Sequence, residues 1–215
     1  MRPFPNELLE LVLKDVCEID DEVFEFAYEF HWSPQTDATR IAPLLVCWSW
    51  HNVAFSSFYR TTILRTVEHA GHFARILSGH PDLGNHVRKI FFNGAFGSAA
   101  CNILQATPHI THLRLSFAIK SSNSTKSLCN ALHLIQPRSL RLRDFKNTYN
   151  NIHQAICTCM QEKWTRLVEF RFPYEVFQPL YVLEREWQEK EFNRVHLLEA
   201  MLSAPFLKIT HAWSV

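Results

Sequence analysis

Glycine is scarce: five in 215 residues. A phosphate-cradling loop needs several glycines at close spacing, and no such signature is present. No GxSxG nucleophile elbow occurs either. The only close cysteine pair is Cys157-Thr-Cys159, a CxC rather than a CxxC, and no second pair sits at zinc spacing. His109-Ile-Thr-His112 is an HxxH without the glutamate of a zincin. Cys157 and His153 fall at i, i+4, a spacing read as core packing. No catalytic, metal or cofactor residue is therefore assigned. No apolar run reaches the roughly 18 residues that span a bilayer. The opening "MRPFPNELLELVLKDV" has one Arg, then acids and an amphipathic pattern, unlike a signal peptide. Six cysteines then read as free thiols of an intracellular chain, cytoplasmic or nuclear.

What is present is an apolar chain with two textures. Hydrophobic residues make up 47%, enough for a sizeable core. The net charge of +1 hides an asymmetry: residues 1–60 hold four Lys/Arg against ten Asp/Glu, and the remainder eighteen against eleven. Two functional regions are expected, meeting after residue 62. Residues 5–16 read as a helix with Leu8, Leu9, Val12, Leu13 and Val16 on one face, entered at Pro5. Residues 23–30 suggest a short second helix, broken before "SPQ". The stretch "LLVCWSWHNVAFSSFYR" reads as one helix with two apolar stripes, Ile41/Leu44/Leu45/Trp48 and Val46/Cys47/Trp50/Val53/Ala54. Two stripes need two covers, either the rest of this chain or a partner.

From residue 66 a pattern repeats. "FARILSGHPDLGNHVRKIFF", "ACNILQATPHITHLRLSF", "LCNALHLIQPRSLRLRDF" and "HLLEAMLSAPFLKITHAW" each run amphipathic helix, Pro, short strand. "AICTCMQEKWTRLVEFRF" does so without the Pro. The strand cores would be Ile90/Phe92, Leu113/Leu115, Leu140/Leu142, Phe170/Phe172 and Leu207/Ile209. Helix–strand units of this length predict a leucine-rich-repeat solenoid, in which units share a core that none buries alone. An ordinary α/β domain with parallel strands is the alternative. Val215 follows the fifth expected strand, so "KITHAWSV" is expected either to be an unconventional cap or to leave the last unit exposed, as in a chain that leans on a partner or comes from a truncated gene model.

"FPNELLELVLKDV" followed by "IAPLLVCWSWHNVAFSSFYRTTIL" resembles an F-box. The matching positions are Phe4-Pro5, Glu7-Leu8-Leu9, Val12-Leu13, Leu44-Leu45-Val46-Cys47, Trp50 and Phe58-Tyr59-Arg60. "LSGHPDLGNHVRKIFF" looks like the first repeat of fungal F-box proteins. The connector from Glu18 to Ala38 departs from that pattern in its length and in its acidic, aromatic content. The resemblance implies docking on the Skp adaptor of a cullin ubiquitin ligase through Pro5, Leu8, Leu9, Val12, Leu44, Leu45 and Val46, with Trp50 and Tyr59 bracing the helices. It implies a non-catalytic substrate receptor.

In the repeat region, residues between two core positions point to the open face of the sheet. Read across units they are Phe91, Arg114, Arg141, Arg171 and Lys208, with Arg138 and Arg143 nearby. Like charges in register repel, so this row is either solvated or a seat for a target protein of acidic or phosphorylated character. Residues 61–150 hold eleven Lys/Arg against three Asp/Glu. That motivates a nucleic-acid-binding alternative, although no helix-turn-helix, zinc-finger or RNA-binding signature accompanies it. A repeat scaffold that recruits no ligase is a third reading.

Overall fold

The computed structural model describes residues 5–26, 34–116, 125–143, 151–171, 197, 199–204 and 207–209. Pro5 opens the first helix, α1 (Asn6–Cys17), where the leading amides have no partner within the helix. Glu7 lies in its first turn and Lys14 in its last, each matched to the helix dipole. The apolar residues of α1 do not share one face. Leu9, Leu13 and Cys17, spaced four apart, are buried, while Leu8, Val12 and Val16 form a neighbouring exposed row. A short helix follows, α2 (Asp21–Phe26). Of the expected helix at 23–30, residues 27–30 lie outside the described residues.

The stretch around Leu44 is not one helix. α3 (Pro34–Ile41) passes into a 3-10 turn at Ala42–Leu45, the chain extends at Cys47, and α4 (Trp48–Arg60) begins. Pro43 is the cause. It has no N–H to return to residue 39, and its ring crowds that carbonyl, so α3 stops at Ile41. The expected stripe Ile41/Leu44/Leu45/Trp48 is thereby divided between two elements. His51 closes the break. Its amide donates to the Cys47 carbonyl at 2.9 Å, and its ring Nδ1, in the tautomer protonated there, donates to the Leu44 carbonyl at 3.1 Å.

These helices share a small core. Leu9, Leu13, Cys17 and Ala54 are buried in it, and Leu44, Trp50, Val53 and Phe58 pack against it. Arg40, only 8% exposed, ties the helices together. Its Nε donates to the Cys17 carbonyl at 2.8 Å and its Nη2 to the Phe58 carbonyl at 3.2 Å, with the guanidinium 4.9 Å over the Phe58 ring. A cation thus meets carbonyls in the last turns of α1 and α4, where partial negative charge collects.

α4 runs without a linker into β1 (Thr61–Leu64), so the boundary expected after residue 62 falls inside a strand. The rest alternates: α5 (Val67–Gly79), β2 (Lys89–Phe92), α6 (Gly97–Ala106), β3 (His112–Ser116), α7 (Lys126–Leu132), β4 (Ser139–Arg143), α8 (Asn151–Glu162), β5 (Glu169–Arg171) and β6 (Lys208–Ile209). Among the described residues six strands pair in chain order, all parallel. The chain is of the α/β class. Five strands were expected. β1 escaped because "TTIL" shows no alternation and follows a helix directly. Phe172, expected as a strand core, lies outside the described residues, as does the stretch from 210 to 215.

Ile90, Leu113, Leu140 and Phe170 form one cross-strand row, and Phe92, Leu115 and Leu142 the next. Both rows are buried together with Phe73, Leu77, Ile103, Leu104, Leu132 and Ile156 of the helices. Neighbouring helices of α5 through α8 pack on one another in order. A forked hydrogen bond marks the starts of β3, β4 and β5. The Arg88 carbonyl accepts from Thr111 and His112, the Thr111 carbonyl from Arg138 and Ser139, and the Arg138 carbonyl from Val168 and Glu169. Trp164, 1% exposed, spans two units by donating its indole N–H to the Leu132 carbonyl at 3.2 Å.

Candidate functional site

Two surfaces carry the candidate residues. The first lies on the N-terminal helices. Leu8 is 49% exposed, Val12 51%, Leu45 78% and Val46 59%, and Pro5 is exposed too. Leu11 on α1 and Trp48 at the start of α4 are exposed apolar side chains too, and Trp48 stacks on His51 with ring centres 5.8 Å apart. Two expected members turn inward. Leu9 is buried in the small core and Leu44 is half-buried against it, so both brace the surface from beneath. Exposed apolar side chains set on a buried core of their own make a surface suited to another protein. Trp50 packs on the same core, and Tyr59 packs edge-on against Phe55 and Phe58 and stacks with Phe73, joining α4 to α5. Trp48, from the expected stripe with Ile41, Leu44 and Leu45, is 76% exposed.

The second surface is the sheet face opposite α5–α8. The register places Ile63, Phe91, Arg114, Arg141 and Arg171 side by side. The basic row therefore exists as far as Arg171. Lys208 leaves it, pairing in register with Glu169 instead. Arg114 leaves the exposed set altogether: it is fully buried, with its guanidinium 4.5 Å over the Phe91 ring and its Nη1 donating to the Phe24 carbonyl of α2. Phe91 is buried as well, in a cluster with Ile19 and Phe24 against which Val23 and Ile63 pack. The connector that departs from the F-box pattern thus covers the first half of this face.

Charge follows the same line. Lys89, next to Phe91 on β2, pairs with Asp21 and lies 3.9 Å from Glu18, while Glu18 also meets Arg60 at 3.1 Å. Glu18 and Asp21 of the acidic first part thus face Lys89 of the basic second part. Hydrogen bonding from Lys89 holds the Asp21 carboxyl below its ordinary value. Arg143 is half-buried and pairs in register with Ser116 of β3. Burial, with Arg143 and Arg171 close by, lowers Arg141 to about 10 against the pull of Glu169. Arg171 donates to Glu169 at 2.7 Å. Burial alone would raise the Glu169 carboxyl, and hydrogen bonds from Ser139 and Arg171 outweigh it, so this group sits below its usual value. Arg141 and Arg171 of the basic row, and Arg143 beside it, are half-buried and partly open to solvent.

The remaining chemical candidates are structural. Cys157 and His153 are both buried, with the sulfur 3.9 Å from Nε2, and burial pushes the thiol up to about 11. Cys159 is pushed up to about 12, mainly by burial. Thiols so raised stay protonated near neutral pH. Among the described residues, no group of three His, Cys, Asp or Glu is placed to hold a metal. A cleft of about 350 Å³ between α4 and α5 presents Arg40, Arg65, His69 and His72 and, among the described residues, no carboxylate or thiol. No helix among the described residues is long and apolar enough to cross a membrane.

Sequence reasoning missed Arg40 and Lys89, the two cations that fix the N-terminal helices to each other and to the sheet. A signal for Arg40 was available: no other Lys or Arg occurs between Lys14 and Arg60. Compared with protein-family models, with curated proteins and with solved structures, the chain matches none.

Proposed function

We propose that this chain is a substrate-receptor subunit of a Skp/cullin/F-box ubiquitin ligase, non-catalytic itself, with α1–α4 docking on the Skp adaptor and the parallel sheet with its helices acting as a leucine-rich-repeat receptor. One observation carries the reading. Leu8, Val12, Leu45 and Val46, at positions where the sequence resembles an F-box, are exposed apolar side chains resting on a buried core that includes Leu9. The sequential, all-parallel strand order supports the repeat part. The docking residues on this reading are Pro5, Leu8, Val12, Leu45 and Val46, with Leu9 and Leu44 supporting them.

The test is co-expression with the Skp adaptor and affinity capture, followed by identification of what else is retained. Wild type retains the adaptor, and Leu45→Asp with Val46→Asp loses it. Retention by the double variant would place the docking surface elsewhere. A repeat scaffold without ligase recruitment would capture proteins but no adaptor. The nucleic-acid reading loses support because Lys89 and Arg60 are already engaged by Asp21 and Glu18. A gel shift at low salt is the discriminating assay for it.

A further inference from the structure

The sheet face over β1–β3 is filled by a segment whose chemistry describes what else would fit there. Residues 18–26 read "EIDDEVFEF", five acids among nine residues, interleaved with Ile19, Val23, Phe24 and Phe26. Three contacts seat the segment. The Asp21 carboxylate takes Lys89, with Glu18 between Lys89 and Arg60. Phe24 and Ile19 pack on Phe91, with Ile63 alongside. Arg114, held 4.5 Å over the Phe91 ring, donates to the backbone carbonyl of Phe24. The first contact asks for an acid, the second for an aromatic a few residues later, and the third for any peptide carbonyl.

We propose that the face built by Lys89, Phe91 and Arg114 is a groove for acidic-aromatic peptide segments, which residues 18–26 of this chain occupy as an exchangeable internal ligand. The external partner is a protein segment with an acid placed two or three residues before a large aromatic. It competes with residues 18–26 for the same three contacts. Tethering gives the internal segment a high effective concentration, so an external segment succeeds when it is tighter or multivalent. The inference stands on contacts within the chain and is independent of adaptor recruitment.

Three features make the segment exchangeable. α2 has six residues, too few to be a stable helix alone. Its Lys89–Asp21 pair is open to solvent on the acid side, where Asp21 keeps 79% of its side chain exposed against 11% for Lys89, so water and salt compete for Asp21. The rows facing α5–α8 are separately buried in their own core, so lifting the segment leaves that core intact.

The experiment uses the full chain. Ile19→Ser with Phe24→Ser releases the segment. A fluorescein-labelled peptide of residues 18–26 is then titrated and followed by anisotropy. The released variant binds it saturably and more weakly as salt rises, wild type binds it at least tenfold more weakly, and Lys89→Glu on the released background abolishes binding. No binding to the released variant above a scrambled peptide would overturn the proposal, as would equal binding to wild type. Loss of the cooperative unfolding transition in the released variant would also overturn it, by showing the segment to be an integral part of the sheet. Hydrogen exchange on wild type is the second readout: amides of 19–26 open while β2 and β3 stay protected, and equal protection of both contradicts exchangeability.

Discussion

Replacing Gly84 by alanine probes how closely the units stack. Gly84 lies buried in the 3-10 turn Pro81–Asn85, beside the end of α6. A Cβ built there would be pressed into the Ala106 carbonyl oxygen, 2.9 Å from the carbon of that carbonyl and 3.7 Å from the Thr107 nitrogen. All three are backbone atoms, so no side chain can rotate away. Relief requires two units to separate within a close-packed interior. Overpacking costs about 1–3 kcal/mol, and a backbone obstacle places Gly84→Ala near the upper end. For a chain of this size, about 3 kcal/mol lowers Tm by roughly 6–12 °C. Gly71 is the control. It lies inside α5 with nothing within 4 Å of its Cβ position, so Gly71→Ala stabilises by up to about 1 kcal/mol. Urea titration followed by circular dichroism measures both. A Gly84→Ala midpoint equal to wild type would refute the close approach of the two backbones.

Arg114→Glu places a carboxylate at a fully buried site beside Phe91, so it destabilises by about 3–5 kcal/mol, read as a shifted urea midpoint; Arg141→Glu, half-buried, costs less than about 1.5 kcal/mol. Target capture by the basic row is therefore tested with Arg141→Glu and Arg171→Glu, leaving Arg114 in place. Burial holds the His112 imidazole below its ordinary value, and Lys89 and Arg171 add to the effect against Asp21 and Glu169. The unfolded chain then binds the extra proton first, so His112 costs nothing above about pH 6.5 and removes stability as pH falls from there towards its depressed folded value. His112→Gln should flatten the Tm decline between pH 7.5 and 5, and an unchanged slope would contradict this. In the native protein Cys47, which is exposed, reacts rapidly with a maleimide, whereas Cys157 and Cys159 react only on unfolding; mass-spectrometric mapping reads out the order.

The periodic parts of the sequence predicted the structure well. Leu113/Leu115 and Leu140/Leu142 alternate cleanly, and a strand buried on one side by helices leaves that mark. β1 left none, because Thr61 and Thr62 occupy places where later strands carry other residue types and no turn precedes them. Helical spacing on α1 located the helix but merged two adjacent rows into one face. Leu8 and Leu9 differ by 100° around the axis, and only packing decides which turns inward. Pro43 was visible, yet its effect depended on whether the helix began before it or at it. The basic row was legible as a pattern of residue types. Its occupancy was not, since the covering segment comes from about 90 residues earlier, a separation that local periodicity does not encode (Phe24 to Arg114). The charge asymmetry was read as two surroundings. The structure shows that the acidic and basic parts meet where Glu18 and Asp21 face Lys89.

The account turns on whether the exposed apolar surface of α1 and the Ala42–Leu45 turn is a docking site. Isothermal titration of the purified full chain with purified Skp adaptor measures this directly. Wild type is predicted to bind, and Leu45→Asp with Val46→Asp to bind at least a hundredfold more weakly, about 2.8 kcal/mol. Leu134→Asp, at an exposed leucine after α7 and far along the chain, should bind as wild type does. No heat of binding with wild type, or equal affinity in the Leu45/Val46 variant, would contradict the account.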